Sequence, residues 1–209
     1  RHFVVESPEG ERTICHPRGK KSDCVVGDLV RWQPAGDEGV IEHIEPRRNL
    51  MHRQDEWKTK SFAANLDAVL IIVAADPPFS ESQLARALIA AESAGIAADV
   101  LLNKCDLPQA APARERLAPY RAMGVPVHEV AMKASPDAAR AVLTPLLTGR
   151  TTLVLGPSGM GKSTLINLMA PGATAQVGEI SAALNAGRHT TTTTTWYWID
   201  AVRQSALID

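Results

Sequence analysis

The stretch Gly156-Pro157-Ser158-Gly159-Met160-Gly161-Lys162-Ser163-Thr164 constrains the fold more than any other part of the chain. It has the spacing G-x-x-x-x-G-K-S. An apolar strand-forming run, Thr151 to Leu155, precedes it, and a helical pattern from Lys162 to about Met169 follows. Glycines at 156, 159 and 161 let the backbone wrap closely around phosphate oxygens. The N–H groups and dipole of the helix that opens there favour an anion. In such a loop Lys162 reaches the β- and γ-phosphates of a nucleotide, and Ser163 ligates Mg²⁺. The agreement of strand, loop, Lys-Ser and helix separates this reading from a chance glycine-rich turn.

A second motif, Asn103-Lys104-Cys105-Asp106, lies upstream, at the end of an apolar run and just before Leu107. It has the form N-K-x-D. Guanine presents a ring N1–H and an exocyclic amino group, and a carboxylate such as Asp106 can accept from both. Adenine lacks that pair, so Asp106 would discriminate between the bases. Asn103 is expected to contact the base edge or brace the phosphate loop, and the stem of Lys104 to cover the ring. In an ordinary small GTPase the phosphate loop comes first and N-K-x-D much later. Here the order is reversed, as in a circularly permuted GTPase.

The texture of the chain changes near residue 60. Residues 1–58 carry short β-type runs (Phe3 to Val5, Val25-Val26, Leu29 to Trp32, Gly39 to Ile41) between Gly, Pro and Asp turns. Several short strands at close spacing suggest a small barrel. Gly27-Asp28 reads as a tight turn into a strand. Residues 59–209 alternate strands and helices. Strands are expected at Ala68 to Ala74, Asp99 to Leu102, Val127 to Ala131, Thr151 to Leu155, Thr193 to Ile199 and Ala206 to Ile208. Helices are expected from Ser80, an N-cap with Gln83 three residues on, to about Ala94 before Gly95. Others are expected at Ala113 to Met123 and Asp137 to Leu147. This alternation implies a mainly parallel sheet with helices on both faces.

The run Gly187-Arg188-His189 followed by Thr190 to Thr195 comes after the phosphate-loop helix at a distance suited to a switch segment. A threonine at 190 or 191 can complete the Mg²⁺ shell and sense a γ-phosphate. Thr193 to Thr195 read instead as β-branched strand formers. Asp209 ends an apolar strand, as the aspartate of a D-x-x-G motif does, and would hold Mg²⁺ through water.

Of the 209 residues, 45% are hydrophobic, enough for a packed core, and the net charge of −1 gives no global polyanion-binding signature. Nucleic-acid contact must therefore come from local patches. The basic clusters of the first part are Arg18, Lys20 and Lys21, then Arg47 and Arg48 with Arg53. Residues 1–60 hold 11 Lys+Arg against 11 Asp+Glu, so these clusters read equally as a solvated surface or as phosphate contacts on a barrel. Cys15, Cys24 and Cys105 form no C-x-x-C pair, which points to reduced thiols in a cytosolic protein and not to a disulfide framework or zinc site. The longest apolar run, Ala68 to Ala75, is too short to span a bilayer, and there is no signal-peptide pattern. The chain starts at Arg1 within a strand-like pattern and stops at Asp209 after an apolar run, and is expected to be part of a longer protein.

With these motifs in this order, the chain resembles the RsgA (YjeQ) family of circularly permuted GTPases of small ribosomal subunit biogenesis. The resemblance also rests on Arg18-Gly19-Lys20-Lys21 to Gly27-Asp28 and on Pro46-Arg47-Arg48-Asn49 to Arg53. It covers essentially the whole chain. It implies an N-terminal OB-fold barrel contacting ribosomal RNA, a permuted GTPase domain using GTP, GDP and Mg²⁺, and a zinc-binding domain beyond Asp209. It implies a cytoplasmic monomer that hydrolyses GTP slowly alone and faster on the small ribosomal subunit, as an assembly checkpoint. His189 is a candidate for orienting the attacking water, beside Lys162, Thr190 and Thr191, with RNA contact or packing of the switch as its other roles. Two positions depart from the family. Ala131-Met132 stands where a Ser-Ala pair usually braces the guanine, and Met160 stands where Val is usual. Rival readings are a nucleotide-gated RNA-binding adaptor, a permuted GTPase of large-subunit assembly, and a phosphate-loop kinase or ATPase. The barrel-like first part argues against the second, and Asn103 with Asp106 against the third.

Overall fold

The computed structural model describes residues 2–19, 23–55, 58–170, 172 and 194–209, with the backbone alone for 53–55 and 58–60. The chain divides into two compact units, Arg1–Asn65 and Leu66–Asp209.

The first unit is all-β. Strands β1 (Phe3–Glu6), β2 (Arg12–Pro17), β3 (Val30–Ala35) and β4 (Glu38–Ile44) form a sheet in the order β1-β2-β4-β3. The β1–β2 and β3–β4 pairs are antiparallel, and β2–β4 is parallel. Phe3, Val5, Val30, Trp32 and Ile44 pack against a core of buried Cys15, Cys24 and Ile41, and the register shift in the β3–β4 pair interrupts strict alternation between Ile41 and Ile44. Gly39 has to be glycine because a Cβ there would lie 2.5 Å from the Trp32 ring and 2.6 Å from Cys15 Sγ. The hairpin β5 (Leu50–Asp55) and β6 (Lys58–Ala64) completes this OB-type unit.

The expected break at residue 58 falls too early. Strand β6 pairs with β5, and the Ala64 amide donates to the Val26 carbonyl at 2.9 Å. The side chain of Asn65 donates to the Gly27 carbonyl at 2.8 Å. These bonds hold residues 58–65 to the first unit. Gly27 (φ 90°) is the expected tight turn, with Val25 N–H donating to Asp28 Oδ2 at 2.8 Å, and no Cβ would fit against the Ala64 carbonyl.

The second unit is a six-stranded sheet in the order β11-β12-β10-β7-β8-β9. Its strands are β7 (Ala68–Ala74), β8 (Ala97–Asn103), β9 (Val127–Glu129), β10 (Thr151–Leu155), β11 (Trp196–Trp198) and β12 (Ala206–Ile208). All neighbours are parallel except the edge pair β11–β12. Every residue of β7 is buried, as expected of a central strand covered on both faces. The helices are α1 (Glu81–Ser93), α2 (Ala110–Ala122), α3 (Pro136–Leu147) and α4 (Lys162–Met169). Ser80 caps α1, its hydroxyl accepting from the Gln83 amide at 3.3 Å, and Gly95 takes φ 68° just past the helix end.

The alternating architecture is the one expected, with shifts at element ends. Helix α2 begins at Ala110, ahead of the expected Ala113. The strand expected over Thr193 to Ile199 shrinks to β11. Thr195 nevertheless exchanges backbone bonds with Asp209, its N–H donating to the Asp209 carbonyl at 2.8 Å and its carbonyl accepting from the Asp209 N–H at 3.1 Å. No helix among the described residues is long and apolar enough to cross a membrane.

Candidate functional site

Parallel order puts the C-terminal ends of β7, β8, β10 and β12 along one edge of the sheet, where open α/β sheets bind ligands. The phosphate loop leaves β10 there, and Asn103 to Asp106 leave β8 at the same edge. Strand β7 lies between those two strands. The two motifs line one cavity of about 500 Å³, with walls that include Asn103, Lys104, Asp106, Gly161, Lys162 and Ser163. Such a volume suits a nucleotide-sized molecule.

Asn103, only 4% exposed, ties the two motifs together. Its Nδ2 donates to the Met160 carbonyl at 3.0 Å, and its Oδ1 accepts from the Met132 amide at 3.2 Å. Of the two expected roles, base contact or brace, this geometry gives it the brace. Gly161 (φ 114°) makes room, because a Cβ there would collide with Asn103 Nδ2. Gly156 lets the loop pass β7, since a Cβ would sit 2.5 Å from the Ile72 carbonyl oxygen. Met160, in place of the usual Val, is buried at 3% exposure and contributes its carbonyl, a bond that side-chain identity does not alter.

Lys104 adopts φ 62°, and its ammonium donates to the Asp76 carbonyl at 2.5 Å. Cys105 is half-buried. Its amide donates to the Val130 carbonyl at 3.1 Å, and burial, foremost, pushes its thiol up. Its thiol donates to the Leu102 carbonyl of β8 at 3.3 Å, while exposed Asp106 lines the cavity. Leu107, Met132 and Lys133 also line the cavity, although the sequence reading assigned no site role to Leu107 or Lys133. The signal for Lys133 was its position next to Ala131-Met132.

Lys162 opens α4 and donates to the Gly156 carbonyl at 2.9 Å and to that of Pro157 at 3.5 Å. Ser163 is exposed at the cavity, with Pro157, Ser158, Gly159 and Thr164 completing the loop. Asp209 directly follows β12, the neighbour of β10. Burial holds its carboxyl above the usual carboxylate range, partly offset by the Lys162 charge, and the parallel pairing of β10 and β12 puts Asp209 at the same edge as the phosphate loop. The donor set fits a cation held by a hydroxyl, a carboxylate, water and phosphates. Among the described residues no group of three or more His, Cys, Asp or Glu could hold a metal. His189, Thr190 and Thr191 lie outside the described residues.

The basic residues of the first unit divide. Arg47 makes a forked pair with Asp28 (2.6 and 2.8 Å) and donates to the Asp23 carbonyl at 2.7 Å. The Asp28 side chain is 1% exposed, so Arg47 is an internal strut, which neither a solvated surface charge nor a free phosphate contact describes. Arg48 reaches the Asn65 carbonyl at 2.9 Å but is exposed. Arg18 is 74% exposed in a surface pair with Glu42. Lys20, Lys21 and the side chain of Arg53 lie outside the described residues.

Comparison with known proteins agrees with this architecture. The family model described as RsgA GTPase matches residues 44–209. The small ribosomal subunit biogenesis GTPase RsgA of Variovorax paradoxus is 63% identical, over 100% of this chain and 66% of that protein. Its namesake in Burkholderia pseudomallei is 55% identical over 94% of this chain and 64% of that protein. The chain thus spans slightly under two thirds of the length of these curated relatives. Among solved structures, YjeQ from Thermotoga maritima matches with a TM-score of 0.69 and 27% identity, covering 100% of this chain and 69% of that one. YloQ, a circularly permuted GTPase, matches in fold with a TM-score of 0.60 at 24% identity, over 100% of this chain and 66% of its own. The permuted motif order, the sheet that brings both motifs to one cavity and the family match over residues 44–209 together establish that this chain belongs to the RsgA GTPase family.

Proposed function

We propose that the protein of which this chain is part hydrolyses GTP to GDP and phosphate while bound to the small ribosomal subunit, and that hydrolysis couples to its release late in assembly. The observation that carries this reading is the shared cavity, with the guanine-type motif on one wall and the phosphate loop on the other.

In this reading Asp106 accepts from the two guanine donors, and Asn103 fixes the distance between base and phosphates. Lys162, which donates to its own loop carbonyls here, would hold the β- and γ-phosphates, and the loop amides at the start of α4 would supply further donors to them. Ser163 and Asp209 would hold Mg²⁺, with Thr191 as a further ligand, and the ion when bound neutralises phosphate charge. Thr190 and Thr191 sense the γ-phosphate, and His189 orients the attacking water. Most of the catalysis is then positioning and charge neutralisation. Contact with ribosomal RNA falls to the first unit, where Arg18 and Arg48 are exposed, and in the sequence Lys20 and Lys21 follow Arg18 and Arg53 follows Arg48. Such a protein works as a cytoplasmic monomer.

Base selectivity tests the site. Asp106→Asn removes one acceptor facing the two guanine donors. The reading predicts that GDP affinity falls by about 10- to 100-fold while ADP affinity stays where it was. Equal loss for both nucleotides, or loss for neither, would argue against guanine recognition by Asp106.

A further inference from the structure

We propose that Arg116, on α2, is a positioning residue for the nucleotide cavity, acting through the loop of Asp76 to Phe79. The proposal rests on reading the cavity as a nucleotide site, and it deepens that reading by naming a residue outside every motif in the sequence.

The loop connects β7 to α1 and touches both halves of the site. On the base side, Lys104 donates to the Asp76 carbonyl. On the phosphate side, a Cβ at Gly159 would lie 3.7 Å from the ring of Pro77, so the Pro77 ring backs the tip of the phosphate loop. At the loop's far end Phe79 is buried at 3% exposure. Arg116 fixes that end in three ways. Its Nη2 donates to the Phe79 carbonyl at 2.6 Å, its guanidinium lies 4.3 Å from the Phe79 ring centre, and its Nε pairs with Glu81 at 2.9 Å. Tyr120, one turn further along α2, donates to the Glu81 carbonyl at 3.4 Å. The planar fork of arginine allows stacking and hydrogen bonding together, which a lysine ammonium does not.

Helix α2 starts at Ala110, just after Asp106. The base-reading segment therefore continues into the helix that carries Arg116, and Arg116 holds the loop that backs Gly159. This gives a second link between the base side and the phosphate side, in parallel with the direct bond from Asn103 to Met160. Neither link touches the nucleotide through Arg116 itself, so its action is on the placement of the loop.

The test compares full-length parent protein with Arg116→Ala, Arg116→Lys and Glu81→Gln. Two readouts are taken below the melting range: amide hydrogen exchange without nucleotide, and dissociation of fluorescently labelled GDP. The proposal expects faster exchange at residues 158–161 in Arg116→Ala, and labelled-GDP dissociation raised about tenfold. Arg116→Lys keeps a cation near the ring without the fork and should fall between, and it decides the matter should the alanine variant fail to fold. Glu81→Gln weakens only the exposed ion pair and leaves the bond and the stacking to Phe79, so its effect should be smaller than that of either Arg116 variant. Parental exchange at residues 158–161 in Arg116→Ala or Arg116→Lys would overturn the proposal. Exchange needs no nucleotide, so a parent that fails to hold labelled GDP would overturn the guanine reading and still leave this link decided.

Discussion

The side-chain amide of Asn103 donates to the Met160 carbonyl at 3.0 Å, and so bolts the end of β8 to the phosphate loop that leaves β10. Its oxygen takes the Met132 amide at 3.2 Å, so one buried side chain spans three segments of the cavity wall. Removing it leaves a buried carbonyl and a buried amide unpaired. Asn103→Ala is therefore expected to destabilise the second unit by about 1–3 kcal/mol and to weaken GDP binding by more than tenfold. Denaturant melts and GDP titration check this. Parental affinity in a stable variant would contradict the brace.

Arg47 and Arg18 are both basic residues of the first unit, and they should behave oppositely. Asp28 is buried, and Arg47 is its forked partner. Arg47→Ala leaves an uncompensated carboxylate and should destabilise the unit by about 3 kcal/mol. Arg18→Ala removes an exposed pair and should change stability by less than about 1 kcal/mol. Thermal melts separate them. Equal, small effects would mean that Arg47 is not a strut.

Cys24 supplies a pH dependence. Burial, reinforced by the Asp28 carboxylate, pushes its thiol from 9.0 up to about 11. The folded state thus favours the neutral thiol. Its contribution is fully present below the unfolded value of 9.0, and is lost as pH rises through about 11. Between those values the parent should lose Tm faster than Cys24→Ala, which starts lower because of its cavity. Parallel Tm curves in that window would contradict it.

What the sequence disclosed, and what it hid, follows from the range of each interaction. The phosphate loop and N-K-x-D were legible because their geometry is local, with strand, turn glycines and helix start adjacent in the chain. The α/β alternation was legible for the same reason, since β7 is uniformly apolar. Strand β2 escaped notice because Arg12, Thr13 and His16 interrupt its apolar residues, and only its partners β1 and β4 decide it. The boundary at 65 depends on bonds from Ala64 and Asn65 back to Val26 and Gly27, a long-range fact. Arg47 read as a surface cation because nothing near it in sequence reveals that Asp28 faces it. Arg116 was invisible for the same reason, its partners Phe79 and Glu81 lying on another helix and its entry loop.

The central claim is that guanine nucleotide turnover answers to the small ribosomal subunit. The most direct measurement is hydrolysis of GTP and of ATP by the full-length protein, with and without purified small subunits. The account predicts slow GTP turnover alone, a marked rise with small subunits, and no comparable use of ATP. Equal hydrolysis of ATP, or GTP turnover indifferent to the small subunit, would contradict it.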